Sequence, residues 1–133
     1  LISGDAENLN FSKNSFDLIS IGFGVRNFQN LEKGISESFR VLRNGGTLII
    51  LETSVPQNRF IKFFYLLFSR TFIPLVGSVF SKDKKAYKYL QKSAEEFPSG
   101  KKFGQILKSC GFNSVEILPL MLGASSIYIA KKN

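Results

Sequence analysis

Four apolar positions, Leu31, Ile35, Phe39 and Leu42, recur at spacings of four, four and three, so they share one face of a helix of about three turns. Asn30 precedes them and is a good N-cap, because its side-chain carbonyl accepts an N–H that the first turn leaves unpaired. Asn44-Gly45-Gly46 is expected to end the helix, since glycine takes the left-handed conformation at little cost. On either side lie short apolar runs bounded by polar turns, Phe16-Asp17-Leu18-Ile19-Ser20-Ile21 and Thr47-Leu48-Ile49-Ile50-Leu51-Glu52. Both have the pattern of parallel strands buried on both faces, and the first is expected as a central strand. Strand, helix and strand within about forty residues make a βαβ unit with a right-handed crossover.

Residues 56–98 break that rhythm. Pro56 opens a region whose pattern predicts helical pieces over 57–70, 73–81 and 84–97, with a break near Pro74. A further helix is predicted near 100–109, ended by Gly111, then strands over 115–122 and 126–131 with Gly123 at the hairpin turn between them. The expected class is therefore α/β. Residues 1–55 form half of a largely parallel core, 56–98 a helical insertion over the sheet, and 99–133 a helix and an antiparallel hairpin.

Composition bounds the setting. At 133 residues with 44% apolar and 14% aromatic side chains, the chain fits one packed domain. No apolar run reaches the eighteen or so residues of a membrane span, because Arg59, Lys62 and Arg70 interrupt the Phe-rich part, and no signal-peptide pattern is present. Cys110 is the single cysteine and there is no histidine, so neither an internal disulfide nor a metal site is expected and a reduced, cytoplasmic setting is the default. Beside Gly111, near a helix C-terminus whose dipole disfavours a thiolate, Cys110 reads as packing.

The net charge of +8 lies in residues 57–108, where eleven basic residues face three acidic ones. The same segment holds Phe60, Phe63, Phe64, Tyr65, Phe68, Phe72 and Phe80. That combination suits an anionic membrane surface, a nucleic-acid groove, or simply a solvated lysine face above an aromatic core. Gly45-Gly46 lacks the further glycine and Lys-Ser/Thr of a phosphate loop and follows a helix instead of opening one.

Gly4-Asp5-Ala6-Glu7-Asn8, Phe16-Asp17-Leu18-Ile19, Phe23-Gly24-Val25-Arg26-Asn27 and Val41-Leu42-Arg43-Asn44-Gly45-Gly46 follow one another in that order, with Ala86-Tyr87-Lys88-Tyr89-Leu90 further on. The set resembles the C-terminal part of the ubiquinone/menaquinone biosynthesis C-methyltransferases. The resemblance implies a Rossmann-like class I methyltransferase sheet whose last strand inserts beside Thr47–Leu51, and S-adenosylmethionine as cofactor. Asp5 and Ala6 are then assigned to adenine and Gly22 to the methionine moiety through its backbone. Taken alone, Gly-Asp-Ala-Glu reads more readily as a polar turn, and Gly22 equally as a glycine at a strand exit.

Arg26 and Asn27 are the expected reaction residues, on the loop where substrate enters. Carbon methylation of a hydroquinone needs charge to develop on a phenolic oxygen, and a guanidinium supplies charge and geometry for it while being a poor base. Tyr87 is the third expected catalytic residue, with Tyr89 its alternative, because residues two apart on a helix point different ways. Asp83 matches an acidic family position, but Lys82, Lys84 and Lys85 around it depart from the family's surroundings.

The resemblance implies methyl transfer to a ring carbon of a polyprenylated quinol, demethylmenaquinol or a methoxy-polyprenyl-benzoquinol, by a protein peripheral to the inner face of the cell membrane. It implies no nucleic acid. The rival readings are an RNA methyltransferase and a non-catalytic, membrane-associated half-domain. Leu1-Ile2-Ser3 reads as the tail of a buried strand. The resemblance implies a glycine-rich strand-turn-helix upstream that carries most cofactor contacts, and the isolated fragment is expected to be inactive. An uncovered edge on the Phe16–Ile21 strand would also favour homo-oligomers.

Overall fold

The computed structural model describes residues 3–80 and 84–133, with the side chains of 72–80, 84–88 and 90 left outside that description. The chain runs β1 (Phe16–Gly22), a 3₁₀ turn (Val25–Asn27), α1 (Leu31–Val41), β2 (Leu42–Thr53), α2 (Arg59–Phe80), α3 (Lys84–Glu96), α4 (Lys101–Ser109), β3 (Ser114–Leu120) and β4 (Ser125–Lys131). The four strands lie in the order β1-β2-β4-β3. β1 and β2 are parallel, as a helical crossover requires, while β4 runs antiparallel to both β2 and β3. The last strand thus sits beside β2, as the resemblance implied.

β1 lies at an edge of the sheet, paired with β2 on one side, the uncovered edge expected for the Phe16–Ile21 strand. No other described strand pairs with its free side, and Leu18 is 54% exposed. β2 takes the central place and alternates buried and half-buried residues from Gly46 to Thr53. Leu48 opposite Ala130 and Ile50 opposite Tyr128 form the floor of the core. Ile35 of α1 and Phe103 and Leu107 of α4 complete the cluster on that face. The Phe103 and Tyr128 rings meet edge to face at 4.8 Å, and the Tyr128 hydroxyl accepts the Gly100 N–H at 2.7 Å, so this buried phenol has a partner.

Asn30 caps α1 as its position suggests, its side-chain oxygen accepting the Lys33 N–H at 3.0 Å. The other end differs from expectation. The helix stops at Val41, and Asn44-Gly45-Gly46 lies inside β2, where Phe16 pairs with Leu42 but Leu18 already pairs with Thr47. Those residues form a bulge, with Gly45 at φ 78°. Lys132 closes the helix end instead: its ammonium donates to the carbonyls of Phe39 at 2.8 Å and Leu42 at 2.6 Å and to Asn14 Oδ1 at 3.0 Å. A long-range cation does the work assigned locally to glycine.

The expected break near Pro74 is also absent, and α2 continues through it to Phe80. Proline removes one N–H and crowds the preceding turn, which kinks or ends helices only where neighbouring interactions do not compensate. Gly123 does lie in the hairpin connection, at φ 94°, although Met121 and Leu122 before it also take positive φ.

A methyl group built on Gly46 would lie 2.7 Å from the Arg43 carbonyl oxygen and 3.2 Å from that of Asp17. Both neighbours are backbone and cannot swing away. Gly46→Ala is expected to lower unfolding free energy by about 1–3 kcal/mol, as overpacking does. Chemical denaturation checks this, and an unchanged midpoint would show that the bulge yields freely.

Candidate functional site

The site grows from the end of β1. Phe23 donates its N–H to the Leu51 carbonyl at 2.8 Å and then turns the chain at φ 51°, a conformation rarely stored in a phenylalanine. Val25, 1% exposed, plugs the following 3₁₀ turn into the core. That anchor leaves Arg26 and Asn27 over the carboxyl end of the sheet, where open α/β folds bind ligands.

Arg26 is met there by Glu52, whose side chain is fully buried on β2. The guanidinium Nη1 pairs with Glu52 Oε1, and the Arg26 backbone N–H reaches Oε2 at 3.3 Å. Thr53 adds its N–H at 2.8 Å and its hydroxyl at 3.1 Å to Oε1. The carboxylate therefore holds both ends of one residue. The Arg26 side chain is 10% exposed, and its Nε is buried with no hydrogen-bond partner among the described residues.

Arg26 lines a cavity of about 360 Å³ with Val25, Phe28, Tyr89, Lys92 and Phe97 among its other walls. Across its mouth the Tyr89 hydroxyl donates to Asn27 Oδ1 at 3.1 Å, tying α3 to the loop. Tyr89 is thus the tyrosine seen at the site, while the Tyr87 side chain and all of Asp83 lie outside the described residues. A second cavity, of about 320 Å³, lies on the other side of the same loop and is lined by Gly4, Asp5, Ala6, Glu7, Asn27, Phe28 and Gln29. Phe28 lines both cavities, whereas Asn27 lines the second. Gly22 ends β1 and lines neither cavity.

The segment carrying Asp5 and Ala6 is fastened to α1. Glu7 accepts the Asn30 N–H at 2.8 Å, and Glu37 accepts the Leu9 N–H at 2.9 Å. Arg40 reaches the carbonyls of Leu9 and Phe11 and, through its hydrogen bonds, holds the Glu37 carboxyl below its usual range. Asp5 spends one oxygen on the Glu7 N–H at 2.8 Å, which shapes a turn. Its side chain still faces the second cavity's rim.

Sequence reasoning brought Asp5, Ala6, Arg26 and Asn27 to one place but missed Glu52. Its signal was present: an acid in an otherwise apolar strand, in phase with Leu48 and Ile50 and therefore on the core face. A buried carboxylate in that phase demands a cation.

This sheet order and site placement define a class I S-adenosylmethionine-dependent methyltransferase fold. A methyltransferase of that kind from Thermotoga maritima, described as a possible histamine N-methyltransferase, superposes with TM-score 0.65 at 20% identity, over 99% of this chain and 63% of that one. A Haemonchus contortus phosphoethanolamine N-methyltransferase in complex with S-adenosylhomocysteine gives 0.63 at 14% identity, over 96% and 36%.

The ubiE/COQ5 methyltransferase family matches residues 1–132, and the chain belongs to that family. It is 40% identical to a demethylmenaquinone methyltransferase of Chlorobaculum tepidum over 98% of this chain and 54% of that protein. A demethylmenaquinone methyltransferase of Bacteroides fragilis is 39% identical over 96% and 52%. A mitochondrial 2-methoxy-6-polyprenyl-1,4-benzoquinol methylase of Oryza sativa is also 39% identical, over 98% and 45%. The chain spans about half the length of these curated relatives.

Removing one partner of the buried pair strands the other. Arg26→Ala is expected to cost about 3–5 kcal/mol of stability, because Glu52 is left charged and dry. Arg26→Met/Glu52→Gln should recover most of that loss in denaturant unfolding. Equal losses in the two variants would mean that packing, and not charge, sets the cost.

Proposed function

We propose that the protein methylates a ring carbon of a polyprenylated quinol, demethylmenaquinol or a methoxy-polyprenyl-benzoquinol, with S-adenosylmethionine as donor. The observation that carries this reading is that Phe28 lines both the Asp5–Ala6 cavity and the Arg26–Tyr89 cavity, which puts the two side by side. A group transfer needs two such adjoining pockets. Family membership selects the quinol from among possible acceptors.

The residues of the Asp5–Ala6 cavity suit the adenine end of the donor. An Asp5 oxygen is an acceptor for the exocyclic amine, Ala6 leaves room for the ring, and Phe28 offers it an apolar wall. When bound, the donor supplies an electrophilic methyl on a sulfonium that leaves as a neutral thioether, so no metal is needed. Arg26 works on the acceptor. The phenolic O–H gives its proton to water, and the guanidinium stabilises the negative charge that develops on that oxygen. The ring carbon then takes the methyl as the thioether leaves, the ring C–H proton is lost to water and aromaticity returns. Asn27 fixes Tyr89 and so sets how closely α3 covers the ring. The Tyr87 phenol is proposed as an additional contact from the same helix.

A polyprenyl tail would keep the acceptor in the bilayer, so the proposal includes contact of the protein with the inner face of the cell membrane. Phe60, Phe63, Phe64 and Leu67 recur at helical spacing on α2 and are 51–80% exposed, an apolar face next to Arg59 in the basic part of the chain. Such a face inserts among headgroups while basic side chains meet anionic lipid.

The deciding assay gives full-length protein the donor and a short-tailed demethylmenaquinol and looks for a carbon-methylated product by mass. Absence of that product sinks the reading. Arg26→Met/Glu52→Gln is expected to fold yet lose at least about a hundredfold in turnover, the scale of one lost charge-stabilising contact, with donor affinity changed only a few-fold. Phe63→Ser/Phe64→Ser is expected to weaken binding to phosphatidylglycerol vesicles about tenfold or more, from the apolar area withdrawn. Vesicle binding equal to that of the parent would remove α2 as the contact.

A further inference from the structure

The Arg26–Tyr89 cavity contains cations, yet each has its carboxylate. Arg26 is matched by the fully buried Glu52, and Lys92, on the opposite wall, stands 3.7 Å from Glu96 on the same helix. Tyr89 and Ser93 complete its polar lining. An unpaired guanidinium in so secluded a place would draw any anionic ligand of the right size. With Glu52 bound to it, the cavity presents N–H donors but almost no net charge. A full anion entering would lose its hydration and receive a dipole in return. An oxygen that is neutral on arrival and gains charge only during reaction loses far less.

We propose that Glu52 is a specificity-determining residue that makes this cavity prefer a neutral phenolic ring over a permanently anionic one. This deepens the quinol reading and rests on it for the identity of the acceptor. Glu52 touches no substrate. It acts through Arg26 by cancelling charge in the resting site and by fixing the guanidinium from both its backbone and its tip. Ring carboxylates and phenolates would be shut out, although they are the ligands that a lone arginine ordinarily selects.

The test uses full-length protein and a nitrophenol that titrates near neutral pH, so that one ring is offered in both charge states. Calorimetry across the ligand's own titration gives the two affinities. Wild-type protein is expected to bind the neutral phenol at least as tightly as the phenolate. Glu52→Gln, which keeps size and one acceptor oxygen but removes the charge, is expected to reverse that order in favour of the phenolate by about tenfold. Benzoate, always anionic here, should gain affinity in step.

A folded Glu52→Gln protein whose preference is unchanged overturns the proposal, because a merely structural role would leave the order of affinities alone. So does a wild-type preference of tenfold or more for the phenolate, a measurement that stands even if the variant does not fold. Failure of the quinol turnover assay with the phenol preference intact would condemn the quinol reading while leaving the charge-selective cavity in place.

Discussion

A carboxylate with no access to water can stay charged only if its surroundings supply what water would have supplied. Glu52 obtains this from four donors on two residues: the guanidinium and N–H of Arg26, and the N–H and hydroxyl of Thr53. Two of those four belong to the loop that follows β1, so the loop cannot move without exposing or stranding the charge. Of the next two residues, Asn27 lines the Asp5–Ala6 cavity and Phe28 lines both cavities. The geometry of the whole site thus hangs on an ion pair whose net contribution to stability is modest, but whose half-removal is costly.

That pair needs a stiff base, which β2 provides. Between a parallel and an antiparallel neighbour, its backbone is paired along both edges, and its core face carries Leu48, Ile50 and Glu52 in succession. The bulge at Arg43–Gly46 resets the register so that Ile19 and Ile21 of β1 stand opposite Leu48 and Ile50. Without that reset the parallel pair would be out of phase, because a slip of one residue turns every side chain to the wrong face. Lys132 then ties the last strand to the end of α1 and to Asn14 just before β1. The chain's final segment secures the crossover with which the described fold begins.

Local signals were legible where local physics decided the outcome. The Asn30 cap, the α1 stripe, the parallel pair and the final hairpin all rest on periodicity or on one residue's chemistry. What was not legible depended on distant partners. Gly45-Gly46 has the chemistry of a helix stop, but a lysine some ninety residues away closes that helix, leaving the glycines for a bulge. Pro74 carries a breaking signal that α2 overrides. Around the candidate site, contiguous motifs supplied Asp5, Ala6, Arg26 and Asn27 as candidates, whereas Glu52 shares no motif with Arg26, and only the parity of the strand relates it to the core.

Helix α3 gives the insertion its place in this arrangement. Tyr89 meets Asn27 from its site-facing side, while Glu95, one and a half turns on, takes both Nε and Nη2 of Arg70 from α2. α2 therefore reaches the loop through α3, and its exposed phenylalanines stand away from the chemistry. A helix so mounted is free to carry a face that suits a lipid surface without placing apolar bulk in the acceptor cavity. Its charge is also kept apart. Among the described residues, Arg59, Lys62, Arg70, Lys101, Lys102 and Lys108 of the basic segment are exposed. The two cations that line the cavity each stand beside a carboxylate, Arg26 beside the buried Glu52 and Lys92 beside the exposed Glu96, so it is the Arg26 pair, out of reach of solvent, that shapes the field inside the cavity.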